Sequence, residues 1–331
     1  MLNMGRNSSS LQHELIKRVL SQTDNNRTGT AYKKHIKNFA KWAKENGYKK
    51  PESITKDVIQ KYEKELESNP KEYAPSTIHT YLSPVCSAAG VSMDEIRKPK
   101  RTAGSITRGR DHDAEGIPTE QNLQGRKQAS DPKYARLVAL QEVLGIRRNE
   151  LGHLVGEDLV NMGRSWYVRV RRGKGGKEQL QYILPKDVET VRQVFDGIGP
   201  EQRVFSREEM NNKINLHGMR AKHGKDCYHY YADMIAKNPA AADKLRALLL
   251  NRWEKGHEKL KNDNYGSWAL QRARFISDMD ERPYQLRGDN LRKAKTLGLP
   301  EEYNRLALMC VSVLHLSHWR TDVSITNYMI Q

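Results

Sequence analysis

Cysteine is scarce in this 331-residue chain: Cys86, Cys227 and Cys310 are an odd number, far apart, with no C-x-x-C spacing. That excludes a disulfide framework and predicts no zinc cluster, so the three read as plain thiols in cores. Long apolar runs are missing too. Nowhere do 18 apolar residues follow one another, and residues 1–10 lack the apolar stretch that follows the basic residues of a signal peptide. The expectation is a soluble cytoplasmic protein without a membrane partner. No internal repeat or low-complexity tract is present, which argues against a solenoid or a disordered array. Acidic residues are outnumbered, with 40 Asp and Glu against 57 Lys and Arg, and the net charge of +17 favours a polyanionic partner such as nucleic acid.

At 37% hydrophobic content the chain can bury ordinary cores, and its length suits two or three domains. Residues 1–96 read as a small helical bundle. Leu11, Leu15, Val19 and Leu20 mark a first helix, within a candidate separate element at 8–22; Tyr32, Ile36, Phe39, Ala40 and Ala43 mark a second, ended by Gly47. Thr55 is placed to cap a third helix, with Val58, Tyr62 and Leu66 on its inner side. Pro75, Ser76 and Thr77 open a fourth that carries Ile78, Leu82 and Val85 and runs out at Gly90. Between 97 and 130 apolar periodicity disappears, and this stretch is expected to be an extended interdomain linker. Its Arg97, Lys98, Lys100, Arg101, Arg108 and Arg110 suit either a track along a phosphate backbone or a solvated hinge.

A second domain is expected over 131–331. It starts with a helix carrying Tyr134, Leu137, Val138 and Leu144, ended by Gly145, and a short helix follows near 149–154. Trp166, Val168 and Val170 alternate with polar residues, and Leu180 to Leu184 follow a Gly173-Lys174-Gly175-Gly176 turn, a pattern that predicts a β-hairpin. The rest reads as helical, so the fold class is mainly α with a small β-sheet.

Four short motifs stand in a telling order. Gly145-Ile146-Arg147-Arg148-Asn149-Glu150-Leu151 is a G-x-R-x-x-E-L string. Gly173-Lys174-Gly175-Gly176-Lys177-Glu178 is a basic hairpin turn. His217-Gly218-Met219-Arg220 is H-x-x-R, and Leu316-Ser317-His318 precedes Tyr328. Each alone is weak, since arginine, histidine and tyrosine have dull explanations at surfaces, helix ends and cores. Together they resemble the tyrosine recombinases of the phage-integrase family. In the first domain Tyr32, Phe39, Trp42, Gly47, Ile54-Thr55 and Ala74-Pro75-Ser76-Thr77-Ile78 are similar to that family's core-binding domain.

The resemblance implies a helical, SAM-like core-binding domain and an α+β catalytic domain that close around double-stranded DNA as a C-shaped clamp. It implies Arg147, Lys174, His217, Arg220 and His318 as catalytic residues, Tyr328 as nucleophile and Glu150 as a structural partner. Lys177 is the alternative to Lys174 and His315 the alternative to His318. Lys177, Ser76 and Thr77 join the basic linker residues as candidate DNA contacts. The chemistry fits these residue types. An attacked phosphodiester gathers negative charge on its non-bridging oxygens, and fixed guanidiniums bind such oxygens in parallel pairs. A phenol of pKa about 10 needs a base in reach, for which His217 is the natural candidate, while His318 can donate a further hydrogen bond. Lys174 can protonate the leaving 5′ oxygen. The phosphotyrosine keeps the energy of the broken bond, so no ATP, cofactor or metal is expected.

Further expectations follow from the family. Integration or excision of a mobile element would proceed on inverted half-sites, in a homo-tetramer assembled on DNA from free monomers or dimers. The protein would associate with the nucleoid, with an accessory bending or directionality protein as a candidate partner. A type IB topoisomerase shares the chemistry, and a DNA-binding regulator of recombinase ancestry shares the fold; both remain alternatives. The chain departs from the pattern in four places, one of them Gln179, where an arginine often follows the hairpin glutamate. Ser317 stands where glycine is usual. Ten positions separate His318 from Tyr328, one more than is common. Arg220 and His318 lie 98 positions apart, which implies a helical insertion at about 238–300 carrying Leu245, Leu248, Leu249, Trp253, Trp268, Phe275 and Met279. Decoration, DNA contact, subunit contact and control of the active site are all open roles for it. With only three residues after Tyr328, tetramer contacts are expected from elsewhere than a tail.

Overall fold

A computed structural model describes residues 10–22, 26–69, 73, 75–97, 120–171, 173 and 178–330. Lys98, Lys100, Arg101, Arg108, Arg110, Lys174 and Lys177 therefore lie outside the described residues, and so does the interior of the expected hairpin turn. The chain divides into two compact units, Met1–Asp113 and Ala114–Gln331. Among the described residues, no helix is long and apolar enough to cross a membrane.

The first unit is a four-helix bundle whose elements follow from local signals. Helix α1 (Leu11–Leu20) starts where the Ser10 hydroxyl accepts from the His13 amide, and it buries Leu11, Leu15 and Val19 at successive turns. Helix α2 (Asn26–Glu45) contributes Ile36, Phe39, Ala40 and Ala43, and it ends at Gly47 in the left-handed region. Helix α3 (Lys56–Glu67) has Thr55 at its cap position, but the threonine side chain makes no capping bond. Helix α4 (Pro75–Ala89) opens on a proline, whose missing N–H has no partner to lose there, and it stops before Gly90 at φ +70°. Ser76 is exposed and Thr77 half-buried in its first turn. Leu15, Phe39, Ile59, Ile78, Leu82 and Val85 close the core.

Arg97, a candidate phosphate contact, is anchored to helix α3. Its guanidinium bonds the fully buried Glu63 at 3.1 Å and also Glu67, and its amide donates to Gln60 at 2.7 Å. Its charge is balanced by two carboxylates.

The first described element of the second unit is a helix, in the stretch expected to be an extended linker. Helix α5 (Glu120–Ala129) is almost devoid of apolar residues, yet it packs closely. A side chain at Gly125 would collide with the Lys213 carbonyl, and Gln128 accepts from the Lys213 amide at 2.7 Å. Asp131 caps the turn into helix α6 (Ala135–Leu144), which buries Leu137, Leu140 and Leu144. Helix α7 (Arg148–Leu151) is a single turn. A three-stranded antiparallel sheet follows, in the order β1 (Leu159–Met162), β2 (Ser165–Val170), β3 (Gln179–Tyr182), with Val168 opposite both Leu159 and Gln181. Strands β2 and β3 are the expected hairpin, and β1 is an addition. Helices α8 (Val188–Phe195) and α9 (Arg207–Met210) lead to the long α10 (Leu216–Lys237), capped by the Asn215 side chain.

The insertion is helical, as expected: α11 (Pro239–Gly256), α12 (Glu258–Asp263) and α13 (Tyr265–Ser277), then α14 (Gly288–Leu297) between the paired strands β4 (Tyr284–Gln285) and β5 (Glu302–Tyr303). It is no appendage. Leu245, Leu249, Trp253, Trp268, Phe275 and Met279 lie in one continuous core with Tyr231, Leu308, Val311 and Tyr328, while Leu248 faces outward. Helix α15 (Arg305–Cys310) runs into a π-helical turn at Val311–His315; helix α16 (Thr321–Ser324) runs into a second at Ile325–Met329.

Candidate active site

Three backbone breaks bring the sequence motifs to one place. Gly145 ends α6 at φ +57°, and it has a second reason to be glycine: a Cβ there would press on the His223 ring at 2.9 Å. The chain then turns so that Arg147 stands at the cap of α7. Glu150 accepts from the Arg147 amide at 3.2 Å and from its Nη1 at 2.7 Å, which fixes the direction of the guanidinium. On α10, Asn215 caps the helix, placing His217 in the first turn and Arg220 in the second.

Arg220 is buried, with 2% exposure, and is held from three sides. Its Nε donates to the Tyr328 hydroxyl at 3.1 Å, its Nη1 to the Gly145 carbonyl and its Nη2 to the Leu316 carbonyl at 2.7 Å. Arg147 Nη2 reaches the same Leu316 oxygen at 3.3 Å. Burial lowers the pKa of Arg220, and the neighbouring charge of Arg147 pushes the same way, while Tyr328 opposes them. A guanidinium starts so far above neutrality that it stays charged. Three of its five N–H groups are directed at these partners.

His318 Nε2 lies 3.0 Å from the Tyr328 oxygen. It is presented by an unusual turn: Ser317 and Trp319, on either side, both occupy the left-handed region, at φ +51° and +59°, and the His318 amide bonds the Ser312 carbonyl at 2.8 Å. The position where glycine was expected thus has the conformation glycine favours, occupied by serine. His217 meets Tyr328 through ring contact, with centroids 5.7 Å apart. His318 thus stands within hydrogen-bond distance of the phenol, beside His217, the candidate acceptor read from the sequence.

His315, the alternative to His318, is fully buried and committed elsewhere, with the Tyr231 hydroxyl at 3.0 Å from its Nε2 and His223 at 3.3 Å from its Nδ1. Tyr328 itself is buried within the π-helical turn that ends the described chain, its ring 5.6 Å from the Arg220 guanidinium carbon. Arg147, Arg220, His217, His318 and Tyr328 thus meet around one phenolic oxygen and one carbonyl. Sequence reasoning missed the Leu316 carbonyl, because a backbone acceptor leaves no mark in composition. It also missed Trp319, which touches His257 and Phe275 of the insertion at centroid distances of 6.1 Å.

No family model and no curated protein matches the chain. Among solved structures it matches XerA recombinase, at 17% identity over 65% of this chain and 82% of that one. The TM-score is 0.23, a superposition too loose to carry an argument.

The arrangement is chemically specific on its own terms. A phenol that accepts from a buried guanidinium and faces an imidazole nitrogen has a stabiliser for its anion and an acceptor for its proton. A second guanidinium on the same backbone oxygen extends the positive surface to where a tetrahedral oxyanion could sit.

Proposed function

We propose that the chain is a site-specific tyrosine recombinase that cleaves and rejoins DNA through a 3′-phosphotyrosyl bond at Tyr328, integrating or excising a mobile element. One observation carries the reading: the Tyr328 oxygen bonds both Arg220 and His318, while Arg147 shares the Leu316 carbonyl with Arg220.

In the reaction, His318 accepts the phenolic proton and the Tyr328 oxygen attacks the scissile phosphorus. A bond from phosphorus to the tyrosine oxygen forms as the bond to the 5′ oxygen breaks. Arg147 and Arg220 hold the non-bridging oxygens, replacing the Leu316 carbonyl as their partner. Lys174 supplies the proton that the departing 5′ oxygen needs. The reverse attack by a 5′ hydroxyl of another strand restores the phosphodiester without ATP. His217, against the Tyr328 ring, orients the nucleophile. The +17 chain would grip duplex DNA as a clamp, aided by Ser76, Thr77 and the basic linker, and assemble as a tetramer on inverted half-sites.

The test is a nicked suicide duplex bearing an end of the element that encodes the protein. Wild type should form a covalent adduct on the 3′ side of the break, and Tyr328→Phe none. Duplex binding without any adduct would sink the enzyme reading in favour of a DNA-binding regulator. An adduct accompanied by supercoil relaxation and no strand exchange would replace recombination with topoisomerase chemistry.

A further inference from the structure

Behind Arg220 lies a second cluster of chemistry-bearing side chains that strand cleavage does not use. His223 and Cys227 are one turn apart on the buried face of α10, and His315 comes from the π-helical turn that packs on it. His223 Nε2 lies 3.3 Å from His315 Nδ1 and 3.4 Å from Cys227 Sγ, and the three donor atoms all fall within 4.8 Å of one another.

We propose that His223, Cys227 and His315 hold a structural d10 cation, zinc(II) or cuprous copper, which clamps α10 to the segment leading into Leu316 and His318. The spacing fits. A tetrahedral zinc with bonds of about 2.0–2.1 Å to nitrogen and about 2.3 Å to sulfur sets its ligands roughly 3.3–3.6 Å apart. The donors fit too, since two imidazoles and a thiolate are the borderline-to-soft set that such ions take and that magnesium or calcium does not.

The surroundings orient the ligands. The Tyr231 hydroxyl sits 3.0 Å from His315 Nε2; with that nitrogen donating, Nδ1 turns a lone pair toward His223. The His223 ring also bonds the Glu142 backbone. Burial keeps both rings in the neutral form that binds metals: His223 is pushed down to about 3 by desolvation and the Arg220 charge, and His315 well below its usual value. Burial also raises the Cys227 thiol well above its usual value, so the cation must displace the thiol proton on binding. Full enclosure of all three ligands implies loading during folding rather than exchange at a surface.

A metal-free alternative exists in the same geometry: Tyr231 donates to His315, and His315 to His223, with the thiol a spectator. Elemental analysis of the untagged full-length protein separates the two. The cation predicts about one equivalent of zinc or copper per chain, surviving dialysis against a weak chelator. It also predicts a fall to background in Cys227→Ser, whereas Cys310→Ser keeps the metal. Should Cys227→Ser fail to fold, wild type refolded with Co2+ alone must show a thiolate-to-cobalt charge-transfer band. A chain free of zinc and copper that refolds with Co2+ without that band overturns the proposal, as does equal metal in Cys227→Ser and wild type. None of these readouts depends on DNA cleavage.

Discussion

Arg147 and Arg220 donate hydrogen bonds to a single acceptor, the carbonyl oxygen of Leu316, at 3.3 and 2.7 Å. Two positive groups converge on one backbone oxygen at the C-terminal end of a helical turn, where the backbone dipole is negative. The carbonyl therefore keeps the two guanidiniums together. Arg220→Lys keeps the charge but loses the planar fork that reaches Tyr328, Gly145 and Leu316 at once. Single-turnover cleavage should fall about 10²- to 10³-fold, the loss typical of one oxyanion donor, with duplex affinity nearly intact. An unchanged cleavage rate would remove Arg220 from the reaction.

Glu150 is the counterpart that fixes Arg147. Its side chain is buried, with 4% exposure, and bonds both the amide and the guanidinium of Arg147. Glu150→Ala should destabilise the second unit by about 1.5–3 kcal/mol, the range for hydrogen bonds to charged groups, and Glu150→Gln by less because it retains an acceptor. Urea unfolding reads both. Equal stability of Glu150→Ala and wild type would mean that Arg147 finds another partner.

The proposed proton transfer separates the two histidines. His318 is within hydrogen-bond reach of the Tyr328 oxygen, while His217 meets the ring. Removing a positioned general base costs about 10²- to 10⁴-fold. His318→Ala should fall in that range in single-turnover cleavage, and His217→Ala should lose less. The opposite ranking would restore His217 as the acceptor.

Much of this was legible in the sequence because helical periodicity exposes buried faces. Leu11, Leu15 and Val19, or Ile78, Leu82 and Val85, announce their sides of α1 and α4, and Gly47 and Gly145 announce the ends of α2 and α6. Helix α5 was hidden because it is held by backbone approach at Gly125 and a polar bond from Lys213 to Gln128, neither of which leaves an apolar stripe. Strand β1 was hidden because four residues are too few to show alternation, and its last two are exposed. At the site, motif order pointed to segments that the fold brings together around Tyr328. The partner of the phenol depended on a turn with two left-handed residues, which the presence of serine and tryptophan does not suggest. The His223, Cys227 and His315 cluster requires α10 to meet a π-helical turn 92 positions downstream of its first member.

Ser317 offers a test of that turn. A non-glycine residue in the left-handed region costs roughly 1–2 kcal/mol, and Ser317 is held at φ +51°. Ser317→Gly should relieve most of it, offset in part by the extra freedom of glycine in the unfolded chain, for a net gain of about 0.5–1 kcal/mol. Ser317→Val, branched at Cβ, should destabilise and slow cleavage by displacing His318. Thermal unfolding and single-turnover cleavage read the pair. A glycine variant no more stable than wild type and a harmless valine variant would together deny that the turn is strained.

The insertion bears on the same turn from the other side. Trp319, next to His318, lies against His257 at the end of α11 and Phe275 of α13, and those helices share the core that encloses Tyr328. Deleting residues 240–298 would strip Leu245, Leu249, Trp253, Trp268, Phe275 and Met279 from that core, so the deletion should unfold the second unit rather than report on subunit contact. A single substitution is the sharper probe. Phe275→Ala removes a ring buried to 5% exposure and should cost about 3–5 kcal/mol. Trp319→Ala, half-buried, should cost less stability yet slow cleavage more, because it frees the residue beside His318 while leaving duplex binding unchanged. If Trp319→Ala cleaves at the wild-type rate, the insertion holds up the core without setting the geometry of the nucleophile.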